Sequence, residues 1–172
     1  AAHREQIRKI NPRLNAVVEL LDGQPVESNG PLAGVPFSVK DSIDVQGART
    51  TAGTLERRDA APAEADATLV RRLRGAGGLP IAKTNLPDLL FSFESDNLIF
   101  GRTNNPYDLT RTPGGSSGGE AALIAACGSP LGLGSDCLGS VRVPAAFCGI
   151  ASIKPTGGRL ATDGKAPPRS CA

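Results

Sequence analysis

Three serines and two lysines are the residues whose types and spacing could do chemistry. Ser116 and Ser117 stand side by side in "GGSSGGE" (114–120). Ser140 follows Gly139 in "LGLGSDCLGSVRVP", and Lys40 and Lys83 sit in the apolar, β-rich stretches "VPFSVK" and "PIAKTN". A serine hydroxyl is a weak nucleophile until a base takes its proton. The chain holds one histidine, His3, so a Ser-His-Asp triad, a Cys-His dyad or a multi-His metal site would hang on a terminal residue. Lysine is the remaining base. It can act when burial lowers its pKa from about 10.4 toward neutrality. Lys40 is the better candidate and Lys83 the second, against the background that most lysines are solvated.

Each of these residues also has a structural reading. Ser117 and Glu120 spell S-x-x-E ahead of the apolar run "AALIAAC" (121–127), the pattern of a helix capping box. Ser116, one position earlier between glycines and that cap, reads as a turn residue. Ser140 could cap a short segment starting at Val141, or lie beside consecutive turn amides able to hold an oxyanion. Asp136 and Arg142 could pair to hold this loop. The glycine-rich stretch lacks the Lys-Ser/Thr of a phosphate loop, and no G-x-G-x-x-G follows a strand, which argues against nucleotide binding.

The elements needed to position these residues are those of an α/β chain. Residues 1–10 read as a polar helix, while "LNAVVELL" (14–21) suits a strand or a helix end. "GQPVESNGPLAG" reads as loop, and "VPFSVK" (35–40) and "LPIAKT" (79–84) as strands. Between these strands, Leu69, Val70, Leu73 and Ala76 share a helix face, with Asp66 placed to cap and glycines to stop it. Ten of the 21 glycines fall in residues 101–150, beside apolar runs, which implies tight turns and close backbone approach. The charge balance of 19 basic to 17 acidic residues, with six aromatics, implies no nucleic-acid partner. Arg71, Arg72 and Arg74 read as a solvated helix face. No run reaches the ~18 apolar residues of a membrane span. Cys127, Cys137, Cys148 and Cys171 form no C-x-x-C pair and read as reduced, buried thiols, the usage of a cytoplasmic protein.

Taken together, "PLAGVPFSVKDSIDVQG", "IAKTNLPDLLFSFESDNLIFGRTNNPYD" and "GGSSGGEAALIAACGSPLGLGSDCLGSVRVPAAFCGIASIKPT" resemble the amidase signature family, from about Asn11 to Leu160. Glu120 and "NNPYDLTRTPGGSSGGE" look closer to its fatty-acid-amide-hydrolase-like and general amidase branch. The resemblance implies the N-terminal part of an α/β fold with a mixed sheet flanked by helices, residues 1–172 forming one incomplete domain. It implies an amide hydrolase with Ser140 as nucleophile, Ser116, behind a cis peptide, as bridging serine, and Lys40 as base. The backbone amides of Cys137, Leu138, Gly139 and Ser140 would form the oxyanion hole, with Ser117, Asp136 and Arg142 in support. A small-molecule amide would be the substrate; no metal and no organic cofactor would be needed.

Two departures stand against this pattern. Leu138 occupies a position where the family usually has glycine, and a Leu there is strained if the backbone needs positive φ. Family members are also more than twice as long, so the chain is expected to be a fragment, a truncated product or one piece of a longer chain with a missing C-terminal portion or partner chain. A glutamyl-tRNA amidotransferase A-type subunit and an inactive remnant are the alternative readings. "LLFSFES" (89–95) is apolar enough for an acyl pocket, but a core segment is the preferred assignment.

Overall fold

Four short strands make one mixed sheet with helices on both faces. The computed structural model describes residues 1–23 and 29–166. In chain order these are α1 (Ala2–Leu14), β1 (Val17–Leu20), β2 (Pro36–Lys40), α2 (Thr68–Gly75), β3 (Leu79–Thr84), α3 (Gly118–Ala125), β4 (Gly132–Leu133) and α4 (Arg142–Cys148). The sheet order is β1-β3-β2-β4. β2 runs parallel to β3 and to β4, and β1 pairs antiparallel with β3. Helix α2 is the crossover between the two parallel strands, the βαβ connection that parallel pairing requires.

The α/β expectation holds, and β3 coincides with "LPIAKT". The undecided stretch 14–21 resolves into the end of α1 and strand β1, separated by Asn15 in the left-handed region. The loop read over "GQPVESNGPLAG" and the tail "ATDGKAPPRSCA" fall partly outside the described residues, as does Cys171.

Successive side chains of a strand point to opposite faces. In β2, Phe37 and Val39 point to the α2 side, where they pack with Val70, Leu21 and Val45. Each such burial contributes about 1.5–3 kcal/mol. Ser38 and Lys40 point the other way, toward α3, yet both are fully buried. On that side Ile7 and Leu14 of α1 and Ala122 and Leu123 of α3 pack with Val17, Ile81 and Ala82. A polar pair on a buried strand face needs polar partners, and α3 supplies them.

Asp66 does not cap α2. Its carboxylate accepts from the Gln46 amide and pairs with Arg74 at 2.8 Å, while Asp163 accepts from the amide and hydroxyl of Thr68. A cap from a residue 95 positions away leaves no local sequence signal. The capping box at α3 is also overturned. Ser117 makes no side-chain cap there, Ser95 Oγ accepts from the Gly118 amide at 3.0 Å, and Glu120 turns inward to the sheet. Gly119 lets the helix start pack this closely, since a Cβ would sit 2.5 Å from the backbone of Asn85.

Candidate active site

Lys40 closes β2 with its amine enclosed by protein. Nζ donates to Ser116 Oγ at 2.7 Å and to Ser135 Oγ at 3.1 Å. Burial pushes its pKa down to about 7; the Glu120 and Asp136 carboxylates oppose that fall, and Lys165 adds to it. Ser116 is buried and its peptide bond to Gly115 is cis, as the resemblance implied. Ser135 went unnoticed in the sequence. It lies in a loop with no pattern of its own, and only the fold brings it to the amine.

Ser140 reaches the same place from the other side. Its carbonyl accepts from the Ser117 amide at 3.0 Å, which joins the two serine-bearing loops. Its hydroxyl makes no hydrogen bond among the described residues and does not cap α4, whose N-cap is Val141. Ser140 and Ser116 line one cavity of about 320 Å³, together with Ser42, Ser135 and Lys165. The other wall is apolar: Leu89, Leu90, Phe91, Phe93 and Leu138. "LLFSFES" is therefore a cavity wall and not core. Phe91 is 77% exposed and Phe93 51%. An apolar run alone cannot tell a packed surface from a pocket lining.

The loop before α4 is held by Asp136. Its carboxylate accepts from the amides of Gly139, Val141 and Arg142 at 2.8, 3.1 and 3.3 Å. It also takes both arms of the Arg142 guanidinium at 2.9 Å, so the expected pair is present and carries the cap as well. Burial works against ionisation here, but Arg142 and the three amides win and hold the carboxyl well below the usual carboxylate range. The Gly139 amide, one of the four expected oxyanion donors, is thus bonded to Asp136. The amides of Leu138 and Ser140 have no partner among the described residues. Leu138 is not in the left-handed region; Gly139 takes the positive φ of 125°, so the expected strain at Leu138 is absent. Its side chain is 85% exposed at the cavity.

Lys83, the second candidate base, is equally buried but committed elsewhere. It donates to Asp41 Oδ1 at 2.9 Å, to the Arg49 carbonyl at 2.7 Å and to Thr50 Oγ1 at 3.1 Å. Adjacent strand residues face opposite ways, which is why neighbouring Thr84, and not Lys83, shares the side of Lys40. The cysteine reading needs correction too. Cys137, which lines the cavity, is disulfide-bonded, and Cys127 is exposed. Pairing depends on proximity in space, which spacing in the sequence does not reveal. Cys148 fits the expectation: burial pushes its thiol up to about 12. No helix among the described residues is long and apolar enough to cross a membrane.

A buried lysine on a serine, behind a cis peptide and beside a second serine, can be compared with known proteins. The family described as Amidase matches residues 5–171. Fatty-acid amide hydrolase 1 of Sus scrofa is 50% identical over 135 residues, covering 78% of this chain and 23% of that protein. The native peptide amidase of Stenotrophomonas maltophilia superposes with a TM-score of 0.87 at 33% identity, covering 96% of this chain and 38% of that one. The A-type subunit of the Thermotoga maritima glutamyl-tRNA(Gln) amidotransferase gives 0.81 at 36% identity, over 86% and 32%. The chain thus spans well under half the length of these relatives, with the same α/β architecture. It belongs to the amidase family.

Proposed function

We propose that the chain carries the serine-nucleophile centre of an amide hydrolase. The observation that carries this reading is the 2.7 Å contact between the buried Lys40 amine and Ser116 Oγ, on a cavity that Ser140 shares. Near neutral pH, Lys40 is uncharged in part and can accept a proton. Ser140 Oγ attacks the amide carbonyl, its proton passes to Ser116, and the Ser116 proton passes to Lys40. The tetrahedral oxyanion lies against the amides of Leu138 and Ser140, each such donor contributing about 3 kcal/mol. The proton returns through Ser116 to the leaving amine, the C–N bond breaks, and water hydrolyses the Ser140 ester by the same relay. The leg from Ser140 to Ser116 closes on substrate binding, since catalytic hydrogen bonds are often unformed without substrate.

The apolar wall favours amides with a hydrocarbon acyl group, in keeping with the resemblance to a fatty-acid amide hydrolase. The test is a fluorophosphonate probe followed by intact mass and peptide mapping. One adduct on Ser140, absent in Ser140→Ala, supports the reading. Absence of any adduct would favour an inert piece of the family fold.

A second reading, an amidotransferase A-type subunit, draws on the Thermotoga maritima structure. It requires partner subunits, so turnover of a simple aryl or fatty amide by the chain alone would exclude it.

A further inference from the structure

The polar cluster beneath Lys40 takes no part in the steps above. Glu120, in the first turn of α3, is 5% exposed. Its Oε2 accepts from Ser38 Oγ at 2.5 Å and its Oε1 from Thr84 Oγ1 at 2.8 Å. Ser38 precedes Lys40 by two residues on the same face of β2, and Thr84 is the residue opposite Lys40 on β3. From the far side, Gly132 of β4 lies opposite Ser38, and a Cβ there would collide with Glu120 Oε2. Three strands therefore leave space for one carboxylate on the face of the sheet that carries Lys40. Burying a carboxylate costs several kcal/mol, more than packing needs, and a capping role is excluded by the inward turn of the side chain.

We propose that Glu120 is a positioning residue for the Lys40 base: it ties the start of α3, where Ser116 enters, to β2 and β3, and brings a carboxyl group to the face of the sheet that carries Lys40. The proposal rests on the reading of Lys40 as base. Three charged groups act on Lys40. Glu120 comes from α3, Asp136, already neutralised by Arg142, from the loop before α4, and Lys165 from the tail. The Asp41–Lys83 pair is closed on itself. Burial pushes Glu120 up to about 7 against the opposing pull of Ser38, Thr84 and Lys40. An anionic Glu120 favours the ammonium, so removing the charge lets Lys40 lose its proton at lower pH.

The test uses the full 172-residue chain with isotope-labelled lysine, and follows the Lys40 side-chain resonance by NMR against pH in wild type and Glu120→Gln. Lys40→Met assigns the signal. The expected result is a fall of about one pH unit in the Lys40 midpoint, with the acid limb of probe labelling moving the same way. If Glu120→Gln does not fold, Ser38→Ala and Thr84→Val replace it. Each removes a hydrogen bond that favours the carboxylate, so the Lys40 midpoint moves in the same direction by less. An unmoved Lys40 titration in the variants that fold overturns the proposal. The NMR readout does not need activity. A wild type that titrates but never labels Ser140 would sink the catalytic reading while leaving the Glu120 coupling intact.

Discussion

Lys40 is set apart from the other lysines by what surrounds Nζ: two serine hydroxyls, with no water-facing surface. The same lysine on an exposed strand end would be a cation at pH 7. Lys40→Met should lower the rate of probe labelling at Ser140 by about 10²–10⁴-fold with an unchanged circular dichroism spectrum. Retention of the wild-type rate would remove lysine from the account. At this scale the apolar strand that ends at Lys40 pointed to a buried amine, which the fold bears out, whereas Ser116 and Ser140 were singled out by the family resemblance and not by their local pattern. The sequence was silent on Ser135, whose role comes from a tertiary contact alone. It misjudged Glu120, because S-x-x-E reads the same whether the glutamate faces the helix start or the sheet.

Among the elements, β2 does two jobs. Phe37 and Val39 anchor it against the α2 side, and Ser38 and Lys40 present polar groups to α3. The loop before α4 depends on Asp136 in the same way, with one carboxylate serving three amides and a guanidinium. Asp136→Asn should destabilise the chain in urea at pH 7 and slow labelling at Ser140. The sign of its pH dependence follows from the depressed folded pKa. The contribution is present above the unfolded value of about 3.9 and is lost as pH falls below it. The gap between wild type and variant should therefore narrow progressively as pH falls below about 4; a gap constant from pH 7 to 3 would contradict this role. Strands β2 and β3 were legible as short apolar runs bounded by turns. The caps of α2 and α3 were not, since Asp163 and Ser95 reach them from distant loops.

For the whole molecule, two apolar clusters sandwich a sheet whose edge strand β4 has only two residues. The α/β class followed from helix and strand patterns, and the mixed sheet flanked by helices from the family resemblance. The wall formed by residues 89–93 did not, because a cavity exists only once the loops of residues 85–117 and 134–141 meet. The α2-side cluster centres on Phe37, which is fully buried. Phe37→Ala should cost about 3–5 kcal/mol in urea unfolding of the chain. A loss under about 1 kcal/mol would mean that this layer is not packed as described.

The central claim is that a neutral Lys40 activates Ser140 through Ser116. The pH dependence of fluorophosphonate labelling at Ser140 tests it most directly. Loss of the Lys40 proton should make the rate rise with pH through a midpoint near 7, and Lys40→Met should abolish that rise. A rate independent of pH between 5 and 9, or an adduct carried by Ser116 in place of Ser140, would contradict the account.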